Sequence, residues 1–182
     1  MEKLKTVNGI DYYLADSSAV DNIVEVDQQC FPSELRAPTN FFTKVITAFP
    51  DGTFLAMQGP APVGYFCNMF VDDEYVKRLE EFLRSSPVLP VPKSRGKNLL
   101  HESIGITQRK QNIAKELILC TEGIIKRYGI KRLVAVLETP QGDNLTERLQ
   151  FNTIKVVRTP VGESKIKTRS PDGFIELVRE VL

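Results

Sequence analysis

The chain is poor in the residues that hold metals or staple small folds. It has one histidine, His101, and three cysteines, Cys30, Cys67 and Cys120, widely spaced and without a C-x-x-C pair. A zinc site is therefore not expected, and an odd number of scattered thiols fits a reduced, cytoplasmic protein. Surplus charge is missing as well. The formal net charge is +1, which gives no global attraction toward nucleic acid or an anionic membrane. No apolar run approaches the roughly 20 residues that a bilayer span requires. The opening "MEKLKTVNG" lacks the apolar core of a signal peptide. There is no internal repeat and no low-complexity segment.

What is present is ordinary globular material. The 182 residues, 42% of them apolar and 26% charged, are enough for one domain with a real core. "IDYYLAD" reads as a strand, and "SSAVDNIVEVDQQCF" as a helix with Val20, Ile23, Val24 and Val26 on one face, stopped by Pro32. A second helix is expected from Thr39 to about Phe49. "TFLAMQ" and "PVGYFCNMFV" form a hairpin across "GPAP". "DDEYVKRLEEFLRSS" is an amphipathic helix, followed by the proline-rich, basic connector "PVLPVPKSRGK". A strand from Leu99 to Ile106 leads into one long helix from about Asn112 to Tyr128, closed by Gly129. "KRLVAVLET" is a buried strand and "DNLTERLQF" a short helix. "TIKVVRTPV" and "FIELVREVL" read as two final strands around a polar, basic loop. Hairpins in the first half and a βαβ unit in the second predict an α/β fold. Its sheet is mixed, mostly antiparallel, with one splayed parallel pair and helices on both faces.

The stretch "GITQRKQNIAKEL", Gly105 to Leu117, carries the functional question. It hands a strand over to a helix through a crowd of hydrogen-bonding groups. Alone, it reads first as an exposed helix start with Thr107 as cap; the other reading is a loop whose backbone N–H groups cradle phosphates at a helix N-terminus.

Its setting resembles the GNAT acetyltransferase superfamily. "RKQNIA", Arg109 to Ala114, sits where that family carries R/Q-x-x-G-x-G/A. "YYLADSSAVDNIVEVDQQCFP" is similar to the family's first strand and helix, "GTFLAMQGPAPVGYF" to its second and third strands ending in V-G-Y, and "PDGFIELVREVL" to its last strand. The resemblance covers nearly the whole chain. It implies a single acetyltransferase-like domain over 1–182 with an insertion at about 72–98, and acetyl-CoA as cosubstrate, with no metal. Coenzyme contacts are then expected at Ile104, Gly105, Ile106, Arg109, Lys110, Gln111, Asn112, Ile113, Ala114 and Asn144. Two positions depart from the family: Asn112 replaces the middle glycine, and no tyrosine follows Asn144 where the family keeps its acid.

Two residues are candidates for the chemistry. Alternation puts Glu102, Ile104 and Ile106 on one face of their strand, and His101, Ser103 and Gly105 on the other. The family often keeps a base near the start of this strand, which implies that role for Glu102. Among apolar neighbours, a carboxylate with raised pKa could accept an amine proton. The other reading is a strand-end carboxylate paired with Lys93, Arg95 or Lys97. His101 takes the base's role if the register slips by one residue. Cys67 and Cys120 read as core thiols, and Lys155, Arg158, Lys165, Lys167 and Arg169 as a solvated basic hairpin. The implied function is acetyl transfer from acetyl-CoA to a small-molecule or peptide amine, by a monomer or homodimer without nucleic-acid or membrane partners. The alternative is an acyl-CoA-binding module without catalysis. "CFPSELRAPTN" and the insertion are the expected walls of the acceptor pocket.

Overall fold

The structure, a computed structural model, describes residues 1–108 and 112–182. Strands β1 (Glu2–Val7) and β2 (Ile10–Leu14) form a hairpin. Helices α1 (Val20–Cys30) and α2 (Thr39–Ala48) follow, and then strands β3 (Thr53–Gln58) and β4 (Ala61–Val71). Helix α3 (Asp73–Ser85) and an irregular connector lead to β5 (Asn98–Ile106). Helices α4 (Ile113–Leu119) and α5 (Glu122–Tyr128) precede β6 (Arg132–Leu137), α6 (Pro140–Arg148), β7 (Asn152–Thr159), β8 (Gly162–Arg169) and α7 (Phe174–Val181). The eight strands lie in one sheet in the order β1-β2-β3-β4-β5-β6-β8-β7. Among the described residues only the β5–β6 pair is parallel; the other neighbours are antiparallel. The expected mixed sheet with a single parallel pair is thus the observed one.

The sheet is covered on both sides, and glycine contacts identify the sides. A Cβ on Gly105 would meet Val26 of α1 and come within 2.6 Å of the Tyr65 ring. One on Gly64 would lie 2.9 Å from Ile113 of α4. Gly64 pairs with Ile106, and Tyr65 with Gly105, so the two pairs face opposite ways. α1 and α2 cover the Tyr65 face, where the Phe42 ring meets Tyr65 edge-on at 5.5 Å. α4 and α7 cover the other. Asp72 caps α3 by accepting from the Tyr75 N–H, and Asp16 accepts from the Ser18 N–H in the short 3-10 turn Ser17–Ala19 that leads into α1.

Three expectations change. "MEKLKTVNG" carries a strand that the apolar pattern does not announce. β1 is a mostly exposed edge strand, and Asn8 and Gly9 turn it back with φ of 52° and 77°, the hairpin geometry that Asn-Gly favours. The single long helix is two helices. Between them Thr121 is fully buried and its hydroxyl donates to the Ile118 carbonyl at 2.7 Å. That bond satisfies an acceptor of the preceding turn and ends α4 locally. Gly129 closes α5 at φ 57° as expected.

The third change is the C-terminus. "FIELVREVL" is a helix, not a strand. Phe174, Ile175 and Val178 are buried together, at the one- and four-residue spacing of a helical face. The strand beside β7 is instead the charged stretch Gly162–Arg169. Both of its edges are paired, to β6 and to β7, and its inward polar groups find partners. Ser164 donates to Glu138, and Lys167, only 1% exposed, is ion-paired with Asp143. Lys167 therefore does not belong to a solvated hairpin.

Candidate active site

β5 is bonded to β4 along its length, but to β6 only where Asn98–His101 meets Arg132–Ala135. Past that point the two parallel strands pair no further. The bond pattern toward β4 also slips there. Cys67 pairs with Ser103 and Asn68 with His101, so Glu102 is the extra residue of a bulge. A bulge bends its strand and increases local twist, and this one sits where β5 and β6 part.

The bulge rewrites the expected alternation. His101 shares a face with Ile104 and Ile106, because one residue too many lies between them. Its ring lies 5.0 Å from that of Phe66 and 6.0 Å from those of Phe151 and Phe174, on the α7 side. Glu102 goes with Ser103 to the α1 side, where it acts on Asp27 and Tyr65. Glu102 and His101 do point apart, as expected. The grouping of Glu102 with Ile104 and Ile106 is wrong by the one bulged residue.

The parted strands open a cleft of about 520 Å³. One part of it is lined by Ile104, Ile106, Thr107, Ala114, Val136 and Leu137. Another is lined by Phe31, Leu35 and Ala37 from the α1–α2 loop and by Pro87, Val88 and Leu89 from the connector after α3. The connector is held down by the Tyr75 hydroxyl, which donates to the Pro90 carbonyl at 2.6 Å. Glu102 and Ser103 lie on the same wall system.

Three carboxyl groups border this cleft: Asp27, Glu102 and Glu138. Burial pushes Glu102 up to about 7, opposed by the Ser103 hydroxyl and reinforced by Asp27 and Glu138. Its Oε2 is covered and has no partner. Burial also raises Asp27, against the pull of the Tyr65 hydroxyl that donates to it at 2.6 Å. Glu138 is raised by burial, against the Ser164 hydroxyl. Among the described residues no lysine, arginine or histidine lines the cleft. A cleft bordered by carboxyl groups favours a cation.

His101 is fixed in one neutral tautomer. The Asn68 amide nitrogen donates to the Gly52 carbonyl at 2.9 Å, so the Asn68 oxygen faces the His101 Nδ1 at 2.6 Å. Nδ1 therefore carries the proton, and Nε2, buried without a partner, is an acceptor. Burial lowers the imidazole pKa to about 3.

No protein-family model matches the sequence, and no curated protein matches it either. Solved structures do. The loading GNATL domain of CurA from Lyngbya majuscula superposes with a TM-score of 0.71 at 12% identity, covering 90% of this chain and 98% of that one. The GphF GNAT-like decarboxylase, in complex with isobutyryl-CoA, gives 0.66 at 15% identity over 87% and 98%. The NatC complex bound to Gag peptide and CoA gives 0.65 at 14% identity over 88% and 98%. The chain has the GNAT fold.

Within the GNAT fold the anticipated coenzyme residues do not all fall together. Ile104, Ile106 and Ala114 line the cleft. Asn112 takes the left-handed conformation, φ 55° and ψ 24°, at the N-cap of α4, and Ile113 is buried behind it against Gly64. Gly105 turns away onto Tyr65 and Val26. Arg109, Lys110 and Gln111 lie outside the described residues. Asn144 is on the exposed side of α6; the residues of that helix at the cleft are Gln141, Gly142 and Leu145. The chain's own features suit an acyl-CoA thioester: unpaired facing edges of β5 and β6 for its amide-bearing arm, and orphaned polar atoms at Glu102 and Ser103 where the strands part. Among the described residues no cluster of three or more His, Cys, Asp or Glu side chains is arranged to hold a metal, and no helix is long and apolar enough to cross a membrane.

Sequence reasoning missed Asp27, Tyr65, Asn68 and Glu138. A signal existed for Asp27, which stands four residues after the buried Ile23 on the inward face of α1. None existed for Glu138, whose place depends on where β6 leaves β5.

Proposed function

We propose that the protein transfers an acyl group from a coenzyme A thioester to a primary amine, with Glu102 as the base. The observation that carries this reading is the buried carboxyl of Glu102, its Oε2 without a partner, at the bulge where β5 and β6 part. The thioester supplies an activated acyl carbon and a fair leaving group. The ammonium first loses a proton to Glu102, which releases it to water; the neutral amine then forms the C–N bond as the C–S bond breaks, and its second proton passes, directly or through water, to the departing thiolate. A base with pKa near the working pH both accepts and releases its proton readily. Asp27 and Glu138 add negative potential that draws a cationic amine inward. Backbone groups of Glu102 to Ile106 orient the arm of the thioester, and the α1–α2 loop with the connector after α3 closes the acceptor side.

Decarboxylation, the activity named for one of the similar structures, fits this cleft less well. Its substrate carries a carboxylate, which three acidic groups repel. The absence of a tyrosine after Asn144 favours a second reading, an acyl-CoA-binding module without turnover. Isothermal titration with acetyl-CoA, followed by coenzyme A release against a panel of primary amines, tests both. Binding with amine-dependent release supports transfer, binding with no release for any amine supports the second reading, and no binding refutes both.

A further inference from the structure

Behind the bulge lies a second, smaller chamber of about 70 Å³. It adjoins the main cleft, sharing with it Glu102, Ser103 and Ile104 of β5, Val136 and Leu137 of β6, and Gly142 and Leu145 of α6. Its other walls are Phe66, Ile118, Leu149, Phe151 and Phe174, none of which lines the cleft. The chamber exists because β5 and β6 stop pairing after His101 and Ala135, which leaves a gap between the sheet and the helices beneath it.

Its chemistry is almost wholly apolar. The Thr146 hydroxyl is turned onto the carbonyls of Gly142 and Asp143 in its own helix. Past the mouth at Glu102 and Ser103, the polar group left is His101, whose Nε2 is a buried acceptor. A trapped water needs about 2–4 polar partners, which such walls do not supply. A short hydrocarbon needs none.

We propose that this chamber receives the acyl chain of the thioester, and that the preferred donor carries a saturated chain about two carbons longer than acetyl. This rests on the acyl-transfer reading above. At about 10–15 Å³ of free space for one water-sized group, the chamber has room for at least two methylenes. The walls also exclude a chain ending in a carboxylate. Such an end would meet the Nε2 lone pair, with no cation among the described lining residues to pair with it.

The test is isothermal titration of the full chain with acetyl-CoA, butyryl-CoA and succinyl-CoA. Butyryl-CoA is expected to bind about tenfold tighter than acetyl-CoA, from the transfer of two methylenes out of water, and succinyl-CoA no tighter than acetyl-CoA. Ile118→Phe fills the chamber from its far end without touching the cleft. It should keep the acetyl-CoA affinity and erase the butyryl gain. Phe174→Leu, which widens the chamber, should move the preference to hexanoyl-CoA and serves also where Ile118→Phe does not fold. Equal or weaker binding of butyryl-CoA by the wild type, or a butyryl gain that survives in folded Ile118→Phe, overturns the proposal while leaving acyl transfer standing. If no thioester binds at all, the acyl-transfer reading itself falls.

Discussion

Replacing Glu102 by glutamine separates its chemistry from its burial. The amide keeps the shape of the side chain and removes its titration. Folded Glu102 has its pKa raised from 4.5 to about 7 by burial. The folded state therefore holds a proton that the unfolded chain has released, and stability falls as pH rises from about 4.5 to about 7. That shift corresponds to about 3 kcal/mol. Glu102→Gln should match the wild type below pH 4.5 and be more stable above pH 7, by on the order of 5–10 °C in Tm for a chain of this size. Urea denaturation across pH 4 to 8 reads the difference directly. In the presence of a working amine, turnover should fall by about 10²–10⁴ with thioester affinity unchanged, and the acidic limb near pH 7 should flatten. Parallel stability profiles for the two proteins would refute the buried, raised carboxyl. A wild-type rate in the variant would remove Glu102 from the chemistry.

Other expectations follow from single contacts. Ala114 lines the cleft at the start of α4, so Ala114→Phe should abolish measurable thioester binding in titration while leaving the Tm within a few degrees. Asn112 is left-handed; Asn112→Gly should bind the thioester at least as well and unfold at the same or a higher urea concentration, whereas Asn112→Ala should lose about 1 kcal/mol. His101 is the chain's one histidine, and its pKa is lowered to about 3. Its ring nitrogens should keep the chemical shifts of the neutral tautomer from pH 5 to 8, and protonation of the ring with a midpoint near 6.5 would contradict its burial.

Much of the fold is legible in the sequence because the signals are local. The apolar spacing of α1, α2 and α3, the β3–β4 hairpin and the strand-to-helix passage at Gly105–Leu117 are visible within windows of a dozen residues. So is the tolerance of Asn112 for positive φ, which depends only on its own side chain. The last helix was not legible. Eight residues rich in Ile, Leu and Val satisfy a buried strand and a helix alike, and the seat beside β7 went to a charged stretch whose buried lysine needs Asp143 from another element.

The sequence by itself determined which segments can be helices and strands, and that Glu102 and His101 stand next to each other near the start of a buried strand. Only the tertiary structure decided which way each one points. A bulge is a property of pairing between two strands, here a slip at Cys67 and Asn68 against Ser103 and His101, and nothing within β5 alone encodes it. The same holds for the convergence of Asp27, Glu102 and Glu138. Burial raises their pKa values, and the cleft that brings them together forms only because β6 stops pairing with β5 after Ala135.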